Sequence, residues 1–162
     1  MANYVTKLKA GDKAPDFKGK DQQGNIISLK DYTGKKLVLF FYPKDNTAGC
    51  INEVCNLRDN YSALEKAGYS IVGVSADDEK KHKKFIDKFK LPFPLIADVD
   101  KKIIEAYDVW GEKKFMGLIF DGIVRTTFVI DEKGIIEQVI TTVDTKNHTQ
   151  QILEMKNERI KN

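Results

Sequence analysis

Two cysteines, Cys50 and Cys55, stand five positions apart in a chain that holds no others. They lie in the stretch Leu37 to Arg58, LVLFFYPKDNTAGCINEVCNLR, where an apolar, β-rich run stops at Pro43 and passes through Lys44, Asp45 and Asn46. The pattern restarts at Thr47 as a helix that carries Cys50 in its first turn. A helix start presents unpaired backbone N–H groups and the positive end of the macrodipole, and both favour an anion. The thiolate rather than the thiol is the nucleophile, so this setting suits a reactive sulfur. The bland alternative is an inert, buried pair, because free cysteine is among the most buried residue types.

Spacing adds a constraint. In an intact helix, residues five apart lie ~8.6 Å apart between Cα atoms, from a rise of ~1.5 Å and ~100° per residue. A disulfide needs less than about 7 Å. A Cys50–Cys55 bond therefore requires the first turns of this helix to unwind.

The elements around the cysteines follow from periodicity. Short extended pieces at 16–20 and 25–28 flank Gln23-Gly24-Asn25 and predict a hairpin at one end of the main sheet. Leu37 to Tyr42 reads as the central strand, and Thr47 to Lys66 as one helix ended by Gly68. Tyr69 to Ser75 suits a buried parallel strand, and Asp77 to Lys90 an amphipathic helix with Phe85, Ile86 and Phe89 inward. Leu95 to Ala97 reads as a short strand and Lys101 to Tyr107 as a short helix. Asp108 to Val124 has glycines at 111, 117 and 122 and no single period, which predicts a structured excursion. Two alternating runs, Arg125 to Asp131 and Ile135 to Thr141, predict a hairpin before a last helix from about Lys146 to Glu158 with Ile152, Leu153 and Met155 inward. A parallel βαβ core joined to an antiparallel hairpin is an α/β arrangement of thioredoxin type, extended here by the N-terminal β-hairpin. Chemistry in such sheets sits at the carboxyl ends of the strands, where the loop after Tyr42 falls.

Composition limits the alternatives. A chain of 162 residues buries a sizeable core without disulfide staples, and 1–162 reads as a single domain. Charged residues make up 31% and hydrophobic ones 41%, an ordinary soluble balance. The net charge of +3 comes from basic residues scattered along the chain, apart from Lys80 to Lys84, so no nucleic-acid partner is expected. No signal peptide or membrane-spanning run is visible, and the expected location is the cytoplasm. In a reducing compartment two close cysteines point to catalysis, redox sensing or metal binding rather than to a structural bond.

Pro43, Thr47 and Cys50 form Pro-x3-Thr-x2-Cys, which resembles the active-site signature of the peroxiredoxins. The fuller FYPKDNTAGCINEVCNLRD looks like the Q-type subgroup, the bacterioferritin comigratory proteins, and VWGEKKFMGLIFDGIVRTTFVID, from Val109 to Asp131, is similar to it as well. The resemblance implies a thioredoxin-like peroxiredoxin fold and an antioxidant thiol peroxidase that acts on hydrogen peroxide and organic hydroperoxides. It implies that Cys50 is the peroxidatic cysteine, oxidised to a sulfenic acid, and Cys55 the resolving cysteine that closes an intramolecular disulfide. Thr47 matches the hydroxyl that orients thiolate and peroxide, Pro43 the ring that shields the site from water, and Arg125 the guanidinium that stabilises developing charge. It further implies a thioredoxin-like reductant, no cofactor, no metal and a monomer.

Each of these residues also has a plainer reading. Arg125 is otherwise an exposed strand-end arginine, Thr47 an N-cap, and Pro43 a strand terminator. Glu53 is expected to stabilise the helix dipole, Lys44 and Asp45 to form a turn, His82 to lie on a solvated helix face, and His148 to be structural. Trp110 and Phe115 either line the approach to the thiol or pack. The subgroup often has proline after the threonine, where this chain has Ala48; that removes a helix-start constraint and eases unwinding. Two competing functions remain: a general thiol–disulfide oxidoreductase, for which Cys-x2-Cys is expected, and a metal-binding module on the same fold.

Overall fold

The computed structural model describes the backbone of residues 3–161 and the side chains of residues 3–154. Its centre is β3 (Lys36–Phe41), whose sequence KLVLFF is apolar on both faces because both faces are covered. Side chains alternate across it. Leu37, Leu39 and Phe41 enter one core with Val72, Val74, Ile104 and Phe128, while Val38 and Phe40 enter the opposite core with Val54, Leu57, Phe85 and Ile152.

Five strands make the main sheet in the order β5-β4-β3-β8-β9. β4 (Tyr69–Ser75) runs parallel to β3, and β5 (Leu95–Ala97) parallel to β4. β8 (Thr126–Ile130) and β9 (Ile136–Ile140) complete it as an antiparallel hairpin. The helices α1 (Ala48–Asp59), α2 (Tyr61–Lys66), α3 (Glu79–Phe89) and α5 (His148–Lys161) send their buried side chains into the second core, and α4 (Lys102–Ala106) into the first. The predicted inward position of Met155 lies outside the described side chains, whereas Ile152 is fully buried.

The structure corrects one expectation and refines two. The helix predicted over Thr47 to Lys66 is two helices, because Asn60 leaves helical geometry at φ −111°, ψ 14° and its Nδ2 donates to the Asn56 carbonyl. Asparagine makes such local bonds readily, at the helix's expense. The N-terminal hairpin, β1 (Lys18–Lys20) and β2 (Ile26–Ser28), is a two-stranded sheet of its own beside β5, the edge strand of the main sheet. It leans so closely on β5 and α4 that a Cβ at Gly19 would stand 2.5 Å from Ile96 Cγ2. The excursion is a regular hairpin, β6 (Trp110–Phe115) and β7 (Leu118–Ile123). Met116 and Gly117 turn it with φ of 51° and 80°. Its side chains are mostly exposed, so neither face carried the apolar period that reveals a strand.

Candidate active site

The loop between β3 and α1 delivers the thiol. Asn46 takes a left-handed conformation at φ 61°, which asparagine tolerates, and turns the chain into the helix. Thr47 occupies the N-cap position in extended geometry, yet its hydroxyl caps nothing and donates instead to the Lys44 carbonyl at 2.9 Å. Ala48 opens the helix directly without proline. Pro43 is half-buried where β3 ends, and Thr47 is exposed.

Cys50 is fully buried in the first turn of α1. The Nη2 of Arg125, which stands one residue before β8, donates to its Sγ at 3.4 Å. The Nη1 donates to Glu53 Oε1 at 2.7 Å. Burial alone draws the guanidinium's pKa down, but the charges of Glu53 and Cys50 and their hydrogen bonds outweigh it, so the net shift is upward. Arg125 is thus a fixed cation, 21% exposed, between a buried carboxylate and a buried sulfur. Cys55 lies further along the same intact helix, half-buried, and both thiols are free. The structure therefore brings Cys50 and Arg125 into contact. It puts Thr47 and Pro43 on the adjoining loop, and it holds Cys55 apart by the helix itself.

Four residues matter here beyond the predicted ones. Glu53, expected only to stabilise the helix dipole, is fully buried beneath Arg125. Among the described residues its Oε2 has no hydrogen-bond partner, and it lies 3.6 Å from Nε2 of His148. His148 is buried, as a structural residue would be, with Nε2 at 2.8 Å from Thr127 Oγ1 and Nδ1 at 2.9 Å from Gln151 Oε1. Gly49 makes room for the guanidinium, since a Cβ there would stand 3.0 Å from Nη2. A glycine inside the first helical turn, where it costs stability, was the available signal. Lys113 of β6 brings a second positive charge; its pKa is lowered chiefly by burial and then by Arg125, with Cys50 opposing. Nothing in its sequence context marked it out. Of the two aromatics, Trp110 has its ring covered by Lys101 Nζ at 4.2 Å, and Phe115 stands 64% exposed at the hairpin tip.

A second buried network lies under the same loop. His82, expected on a solvated face, is fully buried, because it precedes Phe85 by three positions and shares its inward stripe. Its Nδ1 lies 2.7 Å from Asp45 Oδ2 and its Nε2 donates to the Ile96 carbonyl at 2.9 Å. Asp45, expected as a plain turn residue, also accepts the Tyr42 hydroxyl at 2.6 Å, and its N–H donates to Asp77 Oδ2 at 2.8 Å. Ser75 Oγ donates to the same Asp77 oxygen at 2.8 Å. Burial, and next the charge of Asp45, pushes the Tyr42 phenol well above its ordinary range, which keeps it a donor. Asp45, Asp77 and His82 are the grouping of metal-type ligands among the described residues, with candidate atoms within 4.8 Å of one another. Their facing atoms are already engaged, so the group is a staple that fastens the loop to β4 and α3.

Over residues 10–139 the chain matches the AhpC/TSA family. It is 44% identical over 149 residues to peroxiredoxin Bcp of Escherichia coli strain K12, covering 92% of this chain and 96% of that one. A crystal structure of a PrxQ cysteine-to-serine mutant from Xylella fastidiosa superposes with a TM-score of 0.87 at 30% identity, covering 96% of this chain and 99% of the other. The bacterioferritin comigratory protein of Xanthomonas campestris, studied for alkyl peroxide reduction in trapped intermediate and ligand complexes, superposes with a TM-score of 0.80 at 32% identity, over 88% and 91% of the two chains.

Proposed function

This chain belongs to the AhpC/TSA family and is a peroxiredoxin of thioredoxin-like fold, and we propose that it reduces hydroperoxides with Cys50 as the attacking thiolate and Cys55 as the resolving thiol. The observation that carries this assignment is the 3.4 Å bond from Arg125 Nη2 to the buried Cys50 Sγ, backed by Glu53.

Chemistry follows from that geometry. The thiolate attacks the terminal oxygen of the hydroperoxide; the O–O bond breaks, Cys50 becomes a sulfenic acid, and the other oxygen leaves as alcohol or water after taking up a proton. Negative charge moves from sulfur to the leaving oxygen in this step. A preorganised cation at that position stabilises the charge without solvent reorganisation. Arg125 is held there by Glu53, the helix start adds its orphan N–H groups, Thr47 orients the peroxide, and Pro43 screens the sulfur from water. Next the Cys55 thiol condenses with the sulfenic acid, expelling water and forming the disulfide. Because both sulfurs sit on α1, that bond forms only as the helix opens. A thioredoxin-like dithiol then reduces the disulfide by thiol–disulfide exchange.

Both cysteines belong to one helix of one chain, so a monomer completes the cycle as one domain spanning 1–162. No helix among the described residues is long and apolar enough to cross a membrane. The dithiol has to be regenerated, which favours a reducing cytoplasm and a role in antioxidant defence. The alkyl peroxide activity in the Xanthomonas campestris work supports organic hydroperoxides as substrates beside hydrogen peroxide.

The test is a free-thiol count and intact mass after one equivalent of hydrogen peroxide is added to the reduced protein. The wild type loses both thiols and two hydrogens of mass, and Cys55→Ser accumulates a trappable sulfenic acid at Cys50. Survival of both thiols would refute the assignment.

A further inference from the structure

We propose that Asn56 is a positioning residue for the resolving step: it latches α1 to the start of α5, and the latch must open before Cys55 reaches Cys50. The inference rests on the two-cysteine cycle proposed above. Asn56 is the neighbour of Cys55 and is half-buried. Its Nδ2 donates to the Lys146 carbonyl at 2.8 Å, and its Oδ1 accepts the backbone N–H of Thr149 at 2.8 Å. Thr149 is the second residue of α5, so its N–H has no acceptor within its own helix. Asn56 supplies that acceptor from another helix and so acts as a cap provided in trans. Thr149 Oγ1 adds a longer bond, 3.4 Å, to the Asn56 carbonyl.

These bonds oppose the shape change that the chemistry requires. Consecutive Cα atoms are ~3.8 Å apart, so when Cys55 swings toward Cys50, Asn56 is carried with it and away from α5. The latch thereby sets how long the sulfenic acid waits. During that wait a second hydroperoxide molecule can oxidise the sulfenic acid to a sulfinic acid, with its O–O bond broken and its other oxygen leaving as alcohol or water. A firm latch favours this second oxidation, and a loose one favours the disulfide. Helix propensity works in the opposite direction, because alanine is a better helix former than asparagine. A variant that strengthens α1 intrinsically yet unwinds it faster would isolate the latch.

The experiment compares wild type with Asn56→Ala and Asn56→Ser, whose side chains cannot span both partners. Oxidation of Cys50 and closure of the disulfide are followed separately by rapid quenching and intact mass after one equivalent of hydrogen peroxide. Both variants are expected to close the disulfide about tenfold faster, the size of two hydrogen bonds of ordinary net worth. The rate of Cys50 oxidation stays as in the wild type, and the sulfinic fraction under excess peroxide falls. Disulfide closure at the wild-type rate or slower in both variants would overturn the proposal, as would a matching change in both steps, which signals general loosening. If Cys50 of the wild type failed to oxidise, the peroxidase assignment itself would fall, an outcome told apart because the first step is read on its own.

Discussion

Two buried carboxylate networks flank the loop from Pro43 to Cys50, and they are built to different rules. The one under the loop is closed: Asp45 is held by His82, Tyr42 and the Asp77 bridge, on elements that have no need to move. The one at the thiol is open: Glu53 leaves an oxygen without a hydrogen-bond partner among the described residues, Arg125 reaches partly into solvent, and Cys50 lies at the end of the row. A satisfied buried network stiffens its surroundings, whereas a partly satisfied one costs stability and persists where it has chemical work. The contrast teaches that the loop has a fixed side, stapled to β4 and α3, and a working side, carried by a helix that must open if Cys55 is to reach Cys50.

Breaking the closed network has the largest expected effect on stability. His82→Ala strips Asp45 of its principal partner and costs about 3–5 kcal/mol in denaturant unfolding, as expected when half of a buried pair is removed. The rate of Cys50 oxidation in the protein that remains folded changes much less. Breaking the open network acts on the chemistry as well. Arg125→Met slows Cys50 oxidation by about 10²–10³-fold, the loss typical when one preorganised donor to a developing charge is removed. Its stability falls as well, because the fully buried Glu53 carboxylate loses the cation it pairs with. Glu53→Gln sharpens the comparison further: Arg125 keeps an oxygen acceptor but loses the countercharge, and the rate falls roughly tenfold. Thermal unfolding of Glu53→Gln occurs no lower than in the wild type, since a fully buried charge has been removed, one of whose oxygens accepts no hydrogen bond among the described residues. Gly49→Ala has the smallest effect. Its new Cβ, 3.0 Å from Nη2, nudges the guanidinium aside, so Cys50 oxidation slows about threefold while the helix gains about 1 kcal/mol.

The same division explains what the sequence revealed. β3 was legible because a strand covered on both faces is apolar throughout, and the Cys50 loop because Pro43, the polar turn and Thr47 mark a strand end and a helix start. Pro43, Thr47, Cys50 and Cys55 stood out by their spacing, whereas Arg125 was named only through the resemblance, and its guanidinium lies against Cys50. Glu53 and His148 were not legible as partners, because nothing local shows that residues 53, 125 and 148 meet across three elements. His82 was hidden by the lysines around it, although its three-residue offset from Phe85 carried the signal. Hairpin β6 and β7 lacked a buried face, and the break at Asn60 turns on one side-chain bond that no periodicity displays.

Hydrogen exchange of the reduced protein against its peroxide-generated disulfide form tests the contrast most directly. Peptides covering 48–59 should lose protection in the disulfide form, while those covering 42–45 and 77–82 keep it. Retention of protection throughout α1 in the disulfide form, or equal loss in both regions, would contradict a loop stapled on one side and released on the other.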